Sequence, residues 1–157
     1  MTGRRKRSAK RSAASSTRRR RDPPVFFIDE CLGGRLLAAA LEAAGFEARL
    51  ARAEFPPGTR DIDWLPVVGQ RGWIVLTKDR HIRRRELEIQ ALVSARARAF
   101  VLTAADLTGP QQAAVFIRAL PKILRICHAS KGPLVGAVGG RGGVALLRLP
   151  RRRSRRR

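Results

Sequence analysis

Short, continuous apolar runs separated by helical patterns limit this chain to few folds. Val25–Ile28 and Trp73–Thr77 are apolar without alternation, which is typical of strands buried on both faces. Such strands occur in parallel sheets that helices cover on either side. The sequence therefore predicts an α/β fold with a mostly parallel central sheet.

Helical patterns and weaker strands fill the rest of the chain. The predicted helices run from Gly34 to Gly45, from Asp61 to Gly72, over Glu86–Ala97 and from Thr108 to about His128. The further predicted strands are Phe46–Ala51, Phe100–Thr103 and a closing hairpin of Leu134–Val138 and Val144–Leu149 around the sequence GGRGG. The order β-α-β-α-β-α-β-α-β-β indicates helices on both faces of one sheet.

Charge divides the chain into a domain and two tails. Of 34 basic and 12 acidic residues, ten basic residues and one acid lie in 1–22, and six arginines lie in 151–157. Residues 23–150 keep 18 basic and 11 acidic residues, and we predict one domain there. The first tail is expected to be disordered. Both tails fit polyanion contact and equally fit solvated ends shaped by a G+C-rich genome.

The cysteine count and the apolar runs bear on the compartment. Cys31 and Cys127 are too few for a disulfide framework, which indicates a reducing compartment. Cys31 is either a catalytic thiol or a small residue at a helix start. No apolar run approaches the length of a membrane span. We therefore expect a cytoplasmic protein with no membrane partner.

The scarce acids gather where strands end and helices begin. Asp29 and Glu30 follow the first strand, Asp79 follows the strand Trp73–Thr77, and Asp61 and Asp63 open the helix before that strand. Open α/β sheets build their sites at the carboxyl ends of the strands. Carboxylates are the ligands that Mg²⁺ prefers, and a bound cation can activate water against a phosphodiester. The pattern predicts metal-dependent phosphodiester cleavage.

Each acid also has a structural interpretation. Asp29 and Asp61 are both suited to capping the helices that follow them. Glu30 could face solvent, and Asp63 is better suited to the surface. Asp79 is the strongest single candidate, because it follows the most strand-like segment of the chain with only Lys78 between them.

The segments that carry these acids resemble a known family. FFIDE, a Leu/Ala helix ending in AAGFEA, then GTRDIDWL, then RGWIVLTKDRHIRRRELE are similar to the PIN-like domains, and especially to the VapC-type toxin nucleases. The resemblance spans about residues 25–128. It implies a PIN-like three-layer α/β/α sandwich and Mg²⁺- or Mn²⁺-dependent cleavage of RNA. It also implies that an antitoxin protein is a partner, and a homodimer is an assembly to consider.

The resemblance assigns roles residue by residue. Asp29, Asp61 and Asp79 correspond to metal ligands, and Glu30 corresponds to the acid that assists the first of them. Many relatives carry another acid just after Thr-Lys-Asp, where this chain has Arg80 and His81. Glu86 and Glu88 follow further on, and Glu88 also suits an ion pair with Arg84 at helical spacing. The fourth acid, and with it a second metal, stays open.

Basic residues surround the last of these acids. Lys78, Arg80, Arg83 and Arg84 could bind substrate phosphates, which position a nucleic acid without reading its sequence, or could form a solvated helix start. Two alternatives to a nuclease are kept. One is a non-catalytic nucleic-acid-binding module on a degenerate PIN scaffold, and the other is a phosphate-handling enzyme of response-regulator type, for which the required late lysine is missing.

Overall fold

Six strands form one sheet in the computed structural model, which describes residues 22–150. The predicted basic tails, 1–22 and 151–157, lie outside that range except for Asp22. The strands are β1 (Val25–Ile28), β2 (Glu47–Leu50), β3 (Ile74–Thr77), β4 (Arg98–Leu102), β5 (Leu134–Val138) and β6 (Val144–Leu147). Their order across the sheet is β2-β1-β3-β4-β5-β6. All neighbouring pairs are parallel except β5 and β6, which form the antiparallel hairpin that the sequence predicts.

Five helices connect and cover the described strands. They are α1 (Arg35–Ala43), the single turn α2 (Ala51–Glu54), α3 (Asp61–Gln70), α4 (Glu86–Ser94) and α5 (Gly109–Ala129). Two short 3₁₀ turns follow the acid-bearing strands, at Glu30–Leu32 and Arg80–Arg83. Only α2 is not predicted from the sequence. Within residues 22–150 no helix is both long and apolar enough to cross a membrane.

The first face of the sheet is covered by α1 and α5. Phe26, Ile28 and Phe100 project from the strands into this layer, where they pack with apolar residues such as Leu41 of α1 and Phe116 of α5. The start of α5 is fixed by a capping box, in which the Thr108 side chain and the Gln111 side chain each bond the other residue's backbone N–H.

The opposite face is covered by α3 and α4. Phe27 and Val75 point this way and pack with Trp64, Leu65 and Leu92. Because neighbouring residues of a strand alternate between faces, β1 and β3 serve two cores at once and are apolar throughout. The three-layer α/β/α fold and its mostly parallel sheet are confirmed. Trp64 is only 2% exposed, so it belongs to this core and is not available to stack on a base.

Candidate metal and nucleic-acid site

The candidate acids lie where the direction of winding across the sheet reverses. From β1 the chain goes first to β2 on one side and then to β3 on the other. Helices that follow β1 and β3 therefore leave the sheet on opposite faces, and a crevice opens between them at the carboxyl ends of the strands. Asp29 and Asp79 follow these two strands, and Asp61 begins the helix that leads into β3.

Asp29 is held in place by the end of β3. Its carboxylate is 8% exposed, and its Oδ2 accepts a hydrogen bond of 2.7 Å from the hydroxyl of Thr77, which is fully buried. The Cys31 thiol donates to the same oxygen at 3.3 Å. The Asp29 side chain makes no capping bond to the 3₁₀ turn after it. Capping therefore does not explain Asp29, and its orientation comes from the neighbouring strand.

Cys31 works in this arrangement as a protonated thiol. Its Sγ lies 3.3 Å from the Thr77 hydroxyl oxygen and accepts from the backbone N–H of Lys78 at 3.4 Å. Burial, and then the charge of Asp29, raise the pKa of the Cys31 thiol to about 11. A nucleophilic thiolate needs a lowered pKa, so these contacts favour a structural role. Cys31 and Cys127 are both free thiols.

Asp61 is the carboxyl of this site whose pKa is clearly raised. Burial raises the pKa of Asp61 to about 6, and the charges of Asp29, Asp79 and Glu88 add to the shift, while the Trp64 indole opposes it. Asp61 is the first residue of α3, whose N-cap position belongs to Arg60, and no side chain caps that helix. The N-cap interpretation of Asp61 is therefore wrong. What surrounds Asp61 is a group of carboxylates.

Glu88 is the fourth acid of this group. It lies in the first turn of α4 with a side chain only 12% exposed. One of its oxygens, Oε2, is buried without a hydrogen-bond partner in residues 22–150. Its ion pair is with Arg85 at 3.6 Å and not with Arg84 as the helical spacing suggested. The sequence signal for Glu88 was its place in the first turn of the helix after Asp79, but sequence alone did not separate it from a surface ion pair.

The remaining predicted acids are placed differently. Asp79 accepts a hydrogen bond from the His81 backbone N–H at 2.8 Å and so caps the second 3₁₀ turn. The Glu30 side chain is 40% exposed and pairs with Arg52 at 3.2 Å. Together with Asp29, these two residues line a cavity of about 300 Å³. Asp63 is exposed and pairs with Arg60 at 2.9 Å. The role predicted for Glu30 stays a prediction, and Asp63 lies on the surface as expected.

Basic side chains stand beside the acids on both sides of Asp79. Lys78 and Arg80 line a cavity of about 280 Å³, and the Arg80 guanidinium donates to the Thr103 carbonyl at 3.0 Å. Arg83 is half-buried, and its Nε has no hydrogen-bond partner in the part of the chain described. Arg84 is exposed. The substrate contacts predicted for these four residues stay predictions.

The carboxylates suit a divalent cation by their chemistry, although they do not form a ready-made cage. Asp29, Asp61, Asp79 and Glu88 offer the hard oxygen donors that Mg²⁺ and Mn²⁺ take. Oε2 of Glu88 has no hydrogen-bond partner among residues 22–150, and burial and the neighbouring carboxylates raise the pKa of Asp61. Within residues 22–150, however, no three His, Cys, Asp or Glu side chains stand close enough to share one ion. The side chains of Asp61 and Asp79 also open on a cleft of about 600 Å³ with Glu88.

Comparisons with known proteins match the part of the chain that builds this site. A family model described as "PIN like domain" matches residues 24–104, which contain all four carboxylates. The chain is 30% identical over 116 residues to the Mycobacterium tuberculosis (strain ATCC 25618 / H37Rv) protein called "Putative ribonuclease VapC45", and the match covers 71% of this chain and 83% of that protein. No solved structure gives a significant match.

Proposed function

The chain belongs to the PIN-like domain family, and from this we propose that it is a divalent-metal-dependent endoribonuclease that hydrolyses RNA phosphodiester bonds. The name of its relative supports ribonuclease activity. The observation that carries the proposal is the convergence of Asp29, Asp61, Asp79 and Glu88 at the crevice between β1 and β3. Burial and the charges of the other three carboxylates raise the pKa of Asp61, and a bound cation would offset this cost.

The protein's own residues prepare the site for that cation. Asp29, Asp61 and Asp79 would hold Mg²⁺ or Mn²⁺, with Glu88 as the fourth acid, and the bound ion would supply Lewis acidity and a water of lowered pKa. Thr77 and Cys31 fix Asp29 through Oδ2, so that the ligand needs little reorganisation. Lys78, Arg80, Arg83 and Arg84 would bind the flanking phosphates.

The decisive experiment compares two aspartates of one helix. We expect Asp61→Asn, like Asp29→Asn, to abolish Mn²⁺-dependent cleavage of an RNA substrate while the thermal unfolding temperature stays within a few degrees of the wild type. Asp63→Asn is the matched control, because Asp63 is two residues away, exposed and paired with Arg60. Full cleavage by Asp29→Asn or Asp61→Asn would overturn the assignment of the site.

A non-catalytic RNA-binding role has one observation in its favour. The side chains of residues 22–150 contain no group of three close enough to hold an ion as they stand, and Arg80-His81 replaces the acid that many relatives carry. This alternative predicts salt-sensitive RNA binding with no cleavage at any Mg²⁺ or Mn²⁺ concentration. A metal titration of the wild-type cleavage rate therefore separates the two functions.

We further propose that the protein acts in the cytoplasm as the toxin of a toxin–antitoxin pair. The support is its similarity to a VapC relative and the basic character of the domain, which suits RNA. Expression of the wild type should arrest growth, and expression of Asp61→Asn should not. If the active nuclease is harmless to its host at cleaving levels, the toxin role is wrong while the ribonuclease role stands.

A further inference from the structure

The acidic residues of this chain all precede Leu107. Residues 107–150 contain six basic residues and no acid, whereas residues 23–106 contain twelve basic residues and eleven acids. The acid-free part comprises α5 and the β5–β6 hairpin. Any positive charge there can be neutralised only by acids from other elements or by a ligand.

Three of these basic residues form a row on α5. Arg118, Lys122 and Arg125 are spaced four and three residues apart, which places them on one face of the helix, and all three are exposed. None of them makes an ion pair with an acid of residues 22–150. Like charges at this spacing destabilise a helix slightly, so the row costs stability and no ion pair compensates for it.

The row connects to the carboxylate site through the β5–β6 turn. The cavity that contains Lys78 and Arg80 is closed by Leu107 and Gln112, next to and within the first turn of α5. The turn packs against the same region: a Cβ on Gly140 would lie 3.2 Å from the Ala104 side chain, and one on Gly142 would lie 2.9 Å from Arg118. Arg141, between these glycines, is exposed at the turn.

The cavity, the β5–β6 turn and α5 therefore adjoin one another, and we call their basic residues the basic track. Its members, in spatial order from the carboxylate site, are Lys78, Arg80, Arg141, Arg118, Lys122 and Arg125. At its start the track adjoins Asp79, which lies between Lys78 and Arg80, and Asp106, which lines the same cavity as these two residues. The other members of the track lie on α5 and in the β5–β6 turn, and these two segments contain no acidic residue.

We propose that the basic track binds the phosphate backbone of an RNA strand that leaves the carboxylate site, crosses the β5–β6 turn and follows α5. The identity of the polyanion as RNA rests on the proposed ribonuclease function. A row of point charges on a helix reads phosphates and not bases, so the track would add affinity and direction without sequence preference. It would make the enzyme favour substrates that extend well beyond the cleaved bond.

The test is the salt dependence of RNA binding, measured on the full chain in EDTA so that cleavage plays no part. The triple variant Arg118→Gln/Lys122→Gln/Arg125→Gln should lower the slope of log Kd against log salt by about 2 for a single-stranded RNA of some twenty nucleotides, since each phosphate contact contributes about 0.7. The matched control is Arg71→Gln/Arg96→Gln/Lys131→Gln. It removes the same charge from exposed residues near the amino ends of the strands.

The outcomes separate the track from a general charge effect. A slope that falls in the α5 triple and not in the control supports the proposal, and so does unchanged binding of a four-nucleotide RNA by both variants. Equal losses in the two triples, or no loss in the α5 triple, would overturn it; in the second case an acidic protein surface becomes the better partner for α5. If the wild type does not cleave RNA at all, the proposed nuclease function is wrong, but the result of this binding experiment still stands.

Discussion

A single buried hydroxyl orients the central carboxylate of this site. The Thr77 side chain is fully buried and donates to Asp29 at 2.7 Å, and it also accepts from the Asp79 backbone N–H at 3.0 Å. Thr77→Val keeps the shape but leaves both groups without this partner. We expect a loss of about 2 kcal/mol in the free energy of unfolding and about tenfold weaker Mn²⁺ binding, as is usual for residues that orient metal ligands.

Denaturant unfolding and calorimetric Mn²⁺ titration measure these two effects. Thr77→Ser retains the hydroxyl and is the control, so it should keep most of the metal affinity. If Thr77→Val bound Mn²⁺ as tightly as Thr77→Ser does, the hydroxyl would have no part in positioning Asp29.

Asp61 should give the metal-free protein a characteristic dependence on pH. Its pKa rises from 3.8 to about 6 on folding, so between these pH values the folded state binds the proton more tightly than the unfolded state does. The stabilisation by this proton is complete below about pH 4 and is lost as the pH rises through 6. In EDTA, therefore, the wild type should lose stability relative to Asp61→Asn between about pH 4 and pH 6, with no further relative loss above that range.

The same comparison made with Asp63→Asn controls for the loss of an acid from α3. Asp63 is exposed and ion-paired, and its replacement should leave the pH profile of the wild type intact. Parallel profiles for the wild type and Asp61→Asn would show that burial and the neighbouring carboxylates do not raise the pKa of Asp61 as described.

Glu88 offers a test of whether the fourth acid serves a ligand or the fold. Its Oε2 is buried without a hydrogen-bond partner among residues 22–150, and Glu88 adds negative charge to the surroundings of Asp61. Glu88→Gln should therefore leave the metal-free protein as stable as the wild type or about 1 kcal/mol more stable, while Mn²⁺ binding and cleavage weaken at least tenfold. Denaturant unfolding in EDTA, Mn²⁺ titration and the cleavage rate provide the three readings.

Glu86→Gln is the matched substitution in the same helical turn. Glu86 is exposed and bonds to Gln90 at 3.1 Å, so its loss should change little. A Glu88→Gln variant that is destabilised but binds Mn²⁺ normally would assign Glu88 to its ion pair with Arg85 instead.

The packing of α3 against α4 sets the spacing between two of the four carboxylates, because Asp61 begins α3 and Glu88 lies in the first turn of α4. The contact is close at Gly69, where an added Cβ would lie 2.5 Å from the Ala95 carbonyl oxygen. Gly69→Ala should therefore push the helices apart. We expect a net cost of about 1 kcal/mol, since overpacking outweighs the better helix propensity of alanine, and a cleavage rate that falls by more than this stability loss explains.

Gly143→Ala serves as the control for Gly69→Ala. No atom lies within 4 Å of a Cβ at Gly143, and its backbone conformation does not favour glycine, so stability should change by less than about 0.5 kcal/mol. Unfolding temperatures and cleavage rates of the two variants decide the matter. If Gly69→Ala changed the unfolding temperature and the cleavage rate no more than Gly143→Ala does, the close contact between α3 and α4 would not set the spacing of the carboxylates.

The elements that the sequence predicted best are those with a strong local pattern. β1 and β3 are continuous apolar runs that end in acids, and α5 has both a capping box and an apolar face. α2 was missed because a single turn has no periodicity to detect. Asp29, Asp61 and Asp79 were proposed from their places at element ends, but which acid faces which depends on helix packing. For that reason the sequence leaves the role of Glu88 open, and helical spacing predicts an ion pair with Arg84, whereas Glu88 pairs with Arg85 in the structure.

The same limit applied to charge, which the sequence reports only as a total. Residues 23–150 contain 18 basic and 11 acidic residues. These numbers do not show that the acids gather at one site and the bases along another surface. In the fold, the crevice gathers acids while α5 and the β5–β6 turn gather bases. An RNA chain on this protein would thus follow a row of basic side chains to a group of carboxylates. A metal ion bound by those carboxylates would offset their negative charge and so allow an RNA phosphate to approach them.

The arginine-rich ends can be assigned to RNA binding or to composition by removing them. A chain limited to residues 22–150 loses sixteen of the 34 basic residues but keeps every element described above. It should unfold at the temperature of the full chain and cleave a short RNA at the same saturating rate. If the tails bind RNA, the slope of log Kd against log salt should fall by several units. A slope and affinity equal to those of the full chain would instead assign the tails to composition alone, and the basic track on the domain would then account for the binding.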